Sequence, residues 1–341
     1  MADSLFCIDL NEKFTRISDA NVSKNKIELI TTGMIETTPS FFSVETEKNI
    51  ENQASIISQL VSQLKIKKKS AGIIIPDGFT YSQILQMPKL KEKELLSAIR
   101  YQADEFIPMP IEETTLDLEI LREDTKEKKL LILIVAVPKK LVTQIEKTVE
   151  AAGLFPEFLE NELSTVGRLY SEIIPGEKKN SASLILNFGY SSSSIYLLDN
   201  NSSLVVSART FKIGIDLFIK DIKVNLNIDD KKAQEVLKTI GFAKNSTYDL
   251  EIIVSSLYKE LINEIHKFVL LTKDRFNLDV EKIILFNHDN LINLLSAKVQ
   301  ESLTLPVESL TFKGSLAENL VSQTLQTSIS SFISVVGGNL Q

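Results

Sequence analysis

The chain has 341 residues, of which 43% are hydrophobic and 24% are charged, so it is too apolar to be a disordered protein. At roughly 150 residues per domain, this length predicts two domains. The formal net charge of -7 gives no overall attraction to nucleic acid or to anionic lipid. One cysteine and two histidines exclude an intrachain disulfide and are too few for a Cys/His zinc site.

Nothing in the sequence predicts a membrane anchor. The longest apolar run, Leu130 to Val137, is much shorter than the roughly 20 residues of a membrane-spanning helix. The first residues lack the basic segment of a signal peptide. These features, with the single cysteine, predict a cytoplasmic protein.

The first half alternates between strand and helix patterns. Alternating apolar residues predict strands, and apolar residues at a 3.6-residue period predict helices. The predicted strands are Leu5–Leu10, Phe14–Ser18, Ile27–Met34, Ser70–Ile75, Leu116–Leu121, Leu130–Val137 and Phe155–Leu159. The predicted helices are Ile50–Leu64, Lys91–Phe106, Lys139–Ala152 and Glu162–Ile173.

The opening pattern returns after the polar segment Pro175–Ser181, which is the candidate linker. If Asp9 is set against Asn187, Phe14–Ser18 falls on Ser192–Tyr196, about 178 residues later. This predicts an internal duplication, although any two three-stranded meanders share such a pattern. Further helices are predicted from Asp216, Lys231, Ile252 and Leu291, with a strand at Lys282–Phe286 and an apolar tail from Leu316 to Val336.

Three segments carry a resemblance to a known family. They are Ile99–Glu113 followed by Leu116-Asp117, Ala151–Pro156, and Arg209–Gly214 followed by Asp216 and Asp229–Lys238. With them the chain resembles the FtsA and PilM branch of the actin-like ATPase superfamily. The resemblance implies an α/β fold of duplicated actin-like (ribonuclease H-like) halves with an inserted FtsA/PilM-type α+β subdomain.

The resemblance also implies domain limits. The first half would cover residues 1–178, with the inserted subdomain at about 81–149. The second would cover 179–341, with a helical subdomain at about 212–276 and a last helix able to pack back on the first half.

The family holds magnesium-ATP with two β-hairpin loops and a neighbouring turn. Carried over by the resemblance, the candidate nucleotide-binding residues are Asp9, Asn11, Thr15, Asn187, Gly189, Ser191, Ser192, Gly214, Glu264 and Asn287, with Asp9 also the candidate metal ligand. No catalytic residue is predicted.

Several of these positions depart from the family pattern. Asn11 and Ile215 replace glycines, Asn187 replaces a carboxylate, and Asn287-His288 replaces a Gly-Gly turn. Glu12 adds an anion near the first phosphate position. We therefore expect weak or lost nucleotide binding and at most weak ATPase activity. Asp9 could instead be a turn carboxylate bonded to backbone amides, and Glu264 a solvated helix residue.

The function implied by the resemblance is an actin-like scaffold of the type IV pilus platform, held at the inner face of the cytoplasmic membrane by its partners. It would bind the N-terminal cytoplasmic peptide of a PilN-like membrane protein, with a homo-oligomer also compatible and no nucleic acid expected. The peptide would lie between the first and the inserted subdomains, and the candidate contacts are Leu116, Leu118, Ile120, Ile132 and Ile134.

Two alternatives use the nucleotide loops. In the first, magnesium-ATP binding tunes the affinity for the partner. In the second, the chain is a phosphotransferase of the sugar-kinase type, but Asn187 removes the second carboxylate that this chemistry would need.

Overall fold

The computed structural model describes residues 5–23, 26–101, 107–174, 176–177, 179–244, 246–312 and 314–341. The chain forms two compact units. The first comprises residues 1–169, 206–208 and 334–341, and the second comprises residues 170–205 and 209–333. The predicted linker, Pro175–Ser181, lies partly outside the described residues, as do the last five residues of the predicted helix Lys91–Phe106.

The elements of the first unit follow the predicted order, with one added strand. The strands are β1 (Phe6–Leu10), β2 (Phe14–Ser23), β3 (Lys26–Glu36), β4 (Ser70–Ile75), β5 (Tyr81–Pro88), β6 (Thr114–Asp124), β7 (Lys129–Pro138) and β8 (Phe155–Asn161). The helices are α1 (Glu47–Gln63), α2 (Glu92–Tyr101), α3 (Lys139–Ala151) and α4 (Glu162–Arg168).

The main sheet of the first unit has the order β3-β2-β1-β4-β8. β1, β2 and β3 form an antiparallel meander, whereas β1, β4 and β8 run parallel. Apolar residues of α1 and α3, such as Ile57 and Ile145, pack with strand residues such as Phe6 and Ile73 in one buried cluster. α3 therefore belongs to the core of the main sheet.

The inserted segment is a three-stranded antiparallel sheet of order β5-β7-β6, and α2 covers one of its faces. β5 was not predicted. Its sequence carries polar residues such as Gln83 and Gln86, and its partner β7 lies more than 40 residues further along the chain, so no short-range hairpin signal marks it.

The second unit repeats the main sheet of the first. Its strands are β9 (Ala182–Phe188), β10 (Ser193–Asp199), β11 (Leu204–Phe211), β12 (Val280–Asn287) and β13 (Val307–Ser309). Its helices are α5 (Ile215–Leu226), α6 (Asp230–Thr239), α7 (Leu250–Ile253), α8 (Ser255–Phe276), α9 (Leu295–Leu303) and α10 (Leu320–Leu325).

The sheet order β11-β10-β9-β12-β13 matches that of the first unit strand for strand. The predicted duplication is therefore confirmed. A last helix, α11 (Ile333–Gly338), brings Gly338 against Cys7 and Ile74 of the first sheet. Among the described residues, no helix combines the length and apolar character that crossing a membrane requires.

Candidate functional site

The first hairpin consists of β1, β2 and the turn Asn11–Lys13 between them. Its register places Asp9 directly opposite Arg16. The Arg16 Nη1 atom lies 2.7 Å from Asp9 Oδ2, and each side chain is only 1% exposed. Burial raises the pKa of the Asp9 carboxyl, and the Arg16 guanidinium opposes that rise. Asp9 Oδ1 is also buried.

The other two candidate residues of the first hairpin are hydrogen-bonded within the unit. Asn11 Nδ2 donates to Glu162 Oε1 at 3.2 Å. Thr15 Oγ1 lies 2.9 Å from Thr37 Oγ1 and accepts a hydrogen bond from Gln53 Nε2 at 2.8 Å. All these side chains are buried, so they hold the turn rather than present polar groups to solvent.

The second hairpin consists of β9, β10 and the turn Gly189–Ser192. Its register places Asn187 opposite Ser194, the same positions that Asp9 and Arg16 hold in the first hairpin. Asn187 Oδ1 accepts a hydrogen bond from Asn287 Nδ2 at 2.9 Å. Ser194 Oγ lies 2.8 Å from Thr210 Oγ1. Both residues at this position are thus neutral, and each bonds to another neutral side chain.

Two glycines allow close backbone packing at the second turn. A Cβ on Gly189 would lie 2.2 Å from the Ser192 carbonyl oxygen, and a Cβ on Gly214 would lie 1.9 Å from that of Tyr190. The first two backbone amides of α5 donate to the carbonyl oxygens of Gly189 and Tyr190, each at 3.1 Å. These amides, which could otherwise receive an anion at the helix N-terminus, bond to the turn.

The remaining nucleotide candidates lie around this turn and on α8. Ser191 and Ser192 are turn residues. Asn287 ends β12 with a φ of 80° and bonds to Asn187. Glu264 forms ion pairs with Arg209 at 2.9 Å and with Lys267 at 2.7 Å, so the structure places it in a charge cluster of its own.

These contacts engage the carboxylate and the amide that the resemblance assigns to a magnesium-nucleotide site. Mg²⁺ is usually held by one or two carboxylates together with phosphate and water. Asp9 is already paired with a guanidinium, and Asn187 carries no charge. Within the described ranges, no cluster of three or more His, Cys, Asp or Glu residues could hold a metal ion.

A second candidate site is a groove of about 420 Å³ within the first unit. It lies between β6, the outer strand of the inserted sheet, and β8, the outer strand of the main sheet. Its apolar lining residues are Leu118, Leu133, Val135, Val137, Val142, Phe158 and Leu159. Its polar and charged lining includes Thr115, Asp117, Glu119, Glu160, Asn161, Ser164 and Arg168.

The five candidate peptide contacts on β6 and β7 differ in where their side chains lie. Ile132 and Ile134 are buried under α2, and Leu116 and Leu118 pack against the same cluster. Ile120 is 45% exposed but does not line the groove. Because side chains alternate between the two faces of a strand, the groove receives mainly the intervening residues, and of the predicted set only Leu118 reaches it.

The groove carries a surplus of negative charge. Glu160 forms an ion pair with Arg168, whose Nη1 atom lies 3.3 Å from Glu160 Oε1. Burial raises the pKa of Glu160, and Arg168 opposes that rise. Asp117 and Glu119 add two exposed carboxylates on β6, so the groove favours a ligand with apolar groups and a positive charge.

Sequence reasoning missed Arg16 and the groove wall on β8. The signal for Arg16 was available, because a lone basic residue in an otherwise buried strand must find a partner. The β8 wall had no such signal, since its role depends on where the inserted sheet lies.

Comparisons with known proteins agree with this architecture. A family model described as type IV pilus assembly protein PilM matches residues 9–341. A chain of the PilM–PilN type IV pilus biogenesis complex aligns with a TM-score of 0.85 and 20% identity, over 99% of this chain and 98% of that one.

Two other solved structures are more distant. MreB 5 of Spiroplasma citri bound to AMPPNP gives a TM-score of 0.54 and 11% identity, over 100% of this chain and 96% of that one. The ethanolamine utilization protein EutJ from Carboxydothermus hydrogenoformans gives 0.52 and 10%, over 98% and 89%.

The duplicated sheets, with these neighbours, define an α/β protein of the actin-like ATPase fold. The match of the family model over nearly the whole chain is more specific. The chain belongs to the PilM family of type IV pilus assembly proteins.

Proposed function

We propose that this chain is a scaffold of the type IV pilus platform at the inner face of the cytoplasmic membrane. Its groove between β6 and β8 binds the N-terminal cytoplasmic peptide of a PilN-like membrane protein. Binding of nucleotide is not required for this role. The observation that carries the proposal is the groove itself, which lies in the first unit between the outer strands of two sheets.

The groove is suited to an extended peptide. An outer strand can pair with an added strand through main-chain hydrogen bonds, and pockets beside it select side chains. Val135 and Val137 on one wall and Phe158 and Leu159 on the other offer apolar contacts. The two carboxylates on β6 would attract a basic residue of the peptide.

The test is fluorescence anisotropy with a labelled synthetic peptide that copies the N-terminal cytoplasmic segment of the PilN-like protein of the same pilus system. We expect saturable binding in EDTA without nucleotide. The double charge reversal Asp117→Lys with Glu119→Lys should weaken binding about tenfold at low salt, and less at high salt.

Glu28→Lys is the matched control, because Glu28 is an exposed strand residue of the same unit that lies outside the groove. It should bind the peptide as the wild type does. Absence of binding to the wild type would overturn the proposal. Binding that needs magnesium-ATP would favour the nucleotide-switch alternative instead.

A further inference from the structure

The pair of Asp9 and Arg16 is replaced by Asn187 and Ser194 at the equivalent position of the second hairpin. Arg16 is among the largest fully buried side chains of the described residues. Its guanidinium approaches the carboxylate that the family resemblance marks as the metal ligand, at 2.7 Å. At the matching register position of the second hairpin, Asn187 faces Ser194 and both are neutral.

Charge balance follows a common rule in the two hairpins. A buried carboxylate without a partner is costly, so it needs a cation or must be replaced. The first hairpin keeps the carboxylate and supplies a guanidinium from the opposite strand. The second hairpin replaces the carboxylate with an amide and bonds that amide to Asn287. Neither arrangement leaves a net charge for a metal ion to neutralise.

We propose that the Arg16 guanidinium takes the place of a divalent cation at Asp9, so that the first hairpin is held in its folded form by a charge of the chain itself. A divalent cation beside Asp9 would also lie close to the guanidinium, and this like-charge repulsion opposes its binding. The Asp9 carboxylate is therefore not a metal site while Arg16 is present.

This inference shares one point with the proposed function, namely that nucleotide binding is not required. An ordinary structural ion pair would give the same contact. The two interpretations differ in what happens when Arg16 is removed, because only a cation substitute leaves behind a position that magnesium can fill.

The experiment is thermal unfolding, followed by circular dichroism, with 10 mM MgCl₂, with 5 mM magnesium-ATP, or with KCl at matched ionic strength. The wild type should have the same midpoint under all three conditions. Arg16→Gln should lower the midpoint by roughly 10 °C in KCl. MgCl₂ should restore about 3 °C or more of that loss, as expected for an ion that binds only the folded form.

Two controls isolate the charge. Arg16→Lys keeps a cation beside Asp9 and should not respond to magnesium. Arg16→Gln combined with Asp9→Asn removes the carboxylate and should not respond either. A magnesium response of Arg16→Lys, or a folded Arg16→Gln protein without one, would overturn the inference.

A second experiment tests the inference on the wild-type protein, in case Arg16→Gln does not fold. Titration of wild-type protein with Mn²⁺, followed by electron paramagnetic resonance, should show no binding that depends on Asp9. Mn²⁺ binding that Asp9→Asn abolishes would overturn the inference. Peptide binding in the groove is measured separately, so failure of the proposed function leaves this result unchanged.

Discussion

The first and second hairpins occupy equivalent places in two sheets of the same topology, yet the first has Asp9 opposite Arg16 and the second has Asn187 opposite Ser194. An ion pair buried this deeply has lost the hydration of both charges, so its stability depends on both partners being present. Removing one group from the neutral cluster should cost less stability, because each group forms an ordinary hydrogen bond. The duplicated fold thus tolerates two different solutions at one position.

The turns differ in a related way. Asn11 and Gly189 each follow two residues after the compared position. Asn11 is fixed by its side-chain hydrogen bond to Glu162, whereas Gly189 allows the backbone to approach the Ser192 carbonyl. The first turn is therefore held by a side chain, whereas the second turn needs a residue without a side chain.

The largest expected effect comes from breaking the ion pair. Asp9→Asn leaves the Arg16 guanidinium buried without a carboxylate and should lower the free energy of unfolding by about 3–5 kcal/mol. Asn187→Ala, the matched change in the second hairpin, should lower it by about 1–2 kcal/mol. Urea unfolding measures both, and hydrogen exchange of peptides from each hairpin assigns the loss to its unit. Equal costs would contradict the distinction drawn between the hairpins.

Exchanging the turn residues should give a smaller but asymmetric effect. Gly189→Asn places a Cβ 2.2 Å from a backbone oxygen, and the forced shift should cost about 2–3 kcal/mol. Asn11→Gly loses the side-chain hydrogen bonds to Glu162 and from the Glu12 backbone amide and gains chain entropy in the unfolded state, at a cost of about 1–2 kcal/mol. The same urea experiment measures both variants. A Gly189→Asn variant as stable as the wild type would show that the second turn can relax.

Local sequence patterns predicted most strands and helices and the repeat, whereas the fold class was implied by the family resemblance. Mostly apolar segments marked two equivalent strands, Phe6–Leu10 and Ala182–Phe188. The repetition of this pattern predicted the duplication. β5 could not be found this way, because it is defined by pairing with the distant β7. The family resemblance correctly anticipated the fold and the PilM family.

Predicting the candidate site required knowing which face of each strand a side chain occupies. The strand β7 is apolar on both faces, so its sequence alone does not separate Ile134, under α2, from Val135, in the groove. Strand alternation does place Arg16 opposite Asp9 once the hairpin turn is known. The departures at Asn11 and Asn187 were visible in the sequence, but the groups that bond to them, Glu162 and Asn287, become neighbours only through the fold.

A pH dependence is also expected from a buried carboxyl of the second unit. Asp289, in the second unit, is a buried carboxyl that accepts hydrogen bonds from Ser309 and Ser330, each at 2.8 Å. Burial raises its pKa, and these hydrogen bonds oppose the rise. The folded state therefore binds more protons than the unfolded state as pH rises from the ordinary aspartate pKa to the raised one. The contribution of Asp289 to the free energy of unfolding should therefore fall as pH rises across that window.

Asp289→Asn should remove this dependence, so the variant gains stability relative to the wild type as pH rises above the ordinary aspartate pKa of about 4. Urea unfolding at several pH values measures the difference. Asp9→Asn should remain destabilising at pH 7, because it removes the partner of Arg16. A wild type and an Asp289→Asn variant that lose stability in parallel would show that Asp289 has no part in the pH dependence.

The smallest effect is expected for Arg209, an arginine of the second unit. Arg209 is 41% exposed in its ion pair with Glu264, and solvent screens such a contact. Glu264 Oε2 accepts no well-aligned hydrogen bond from the described residues, and Lys267 still balances Glu264 when Arg209 is removed. Arg209→Ala should thus cost less than about 1 kcal/mol, and 0.5 M NaCl should reduce even this, with the Debye length then about 4 Å. If Arg209→Ala lost as much stability as Asp9→Asn, the difference in exposure between Arg16 and Arg209 would not explain their contributions. The first hairpin would then depend on its buried ion pair no more than the second unit depends on an exposed one.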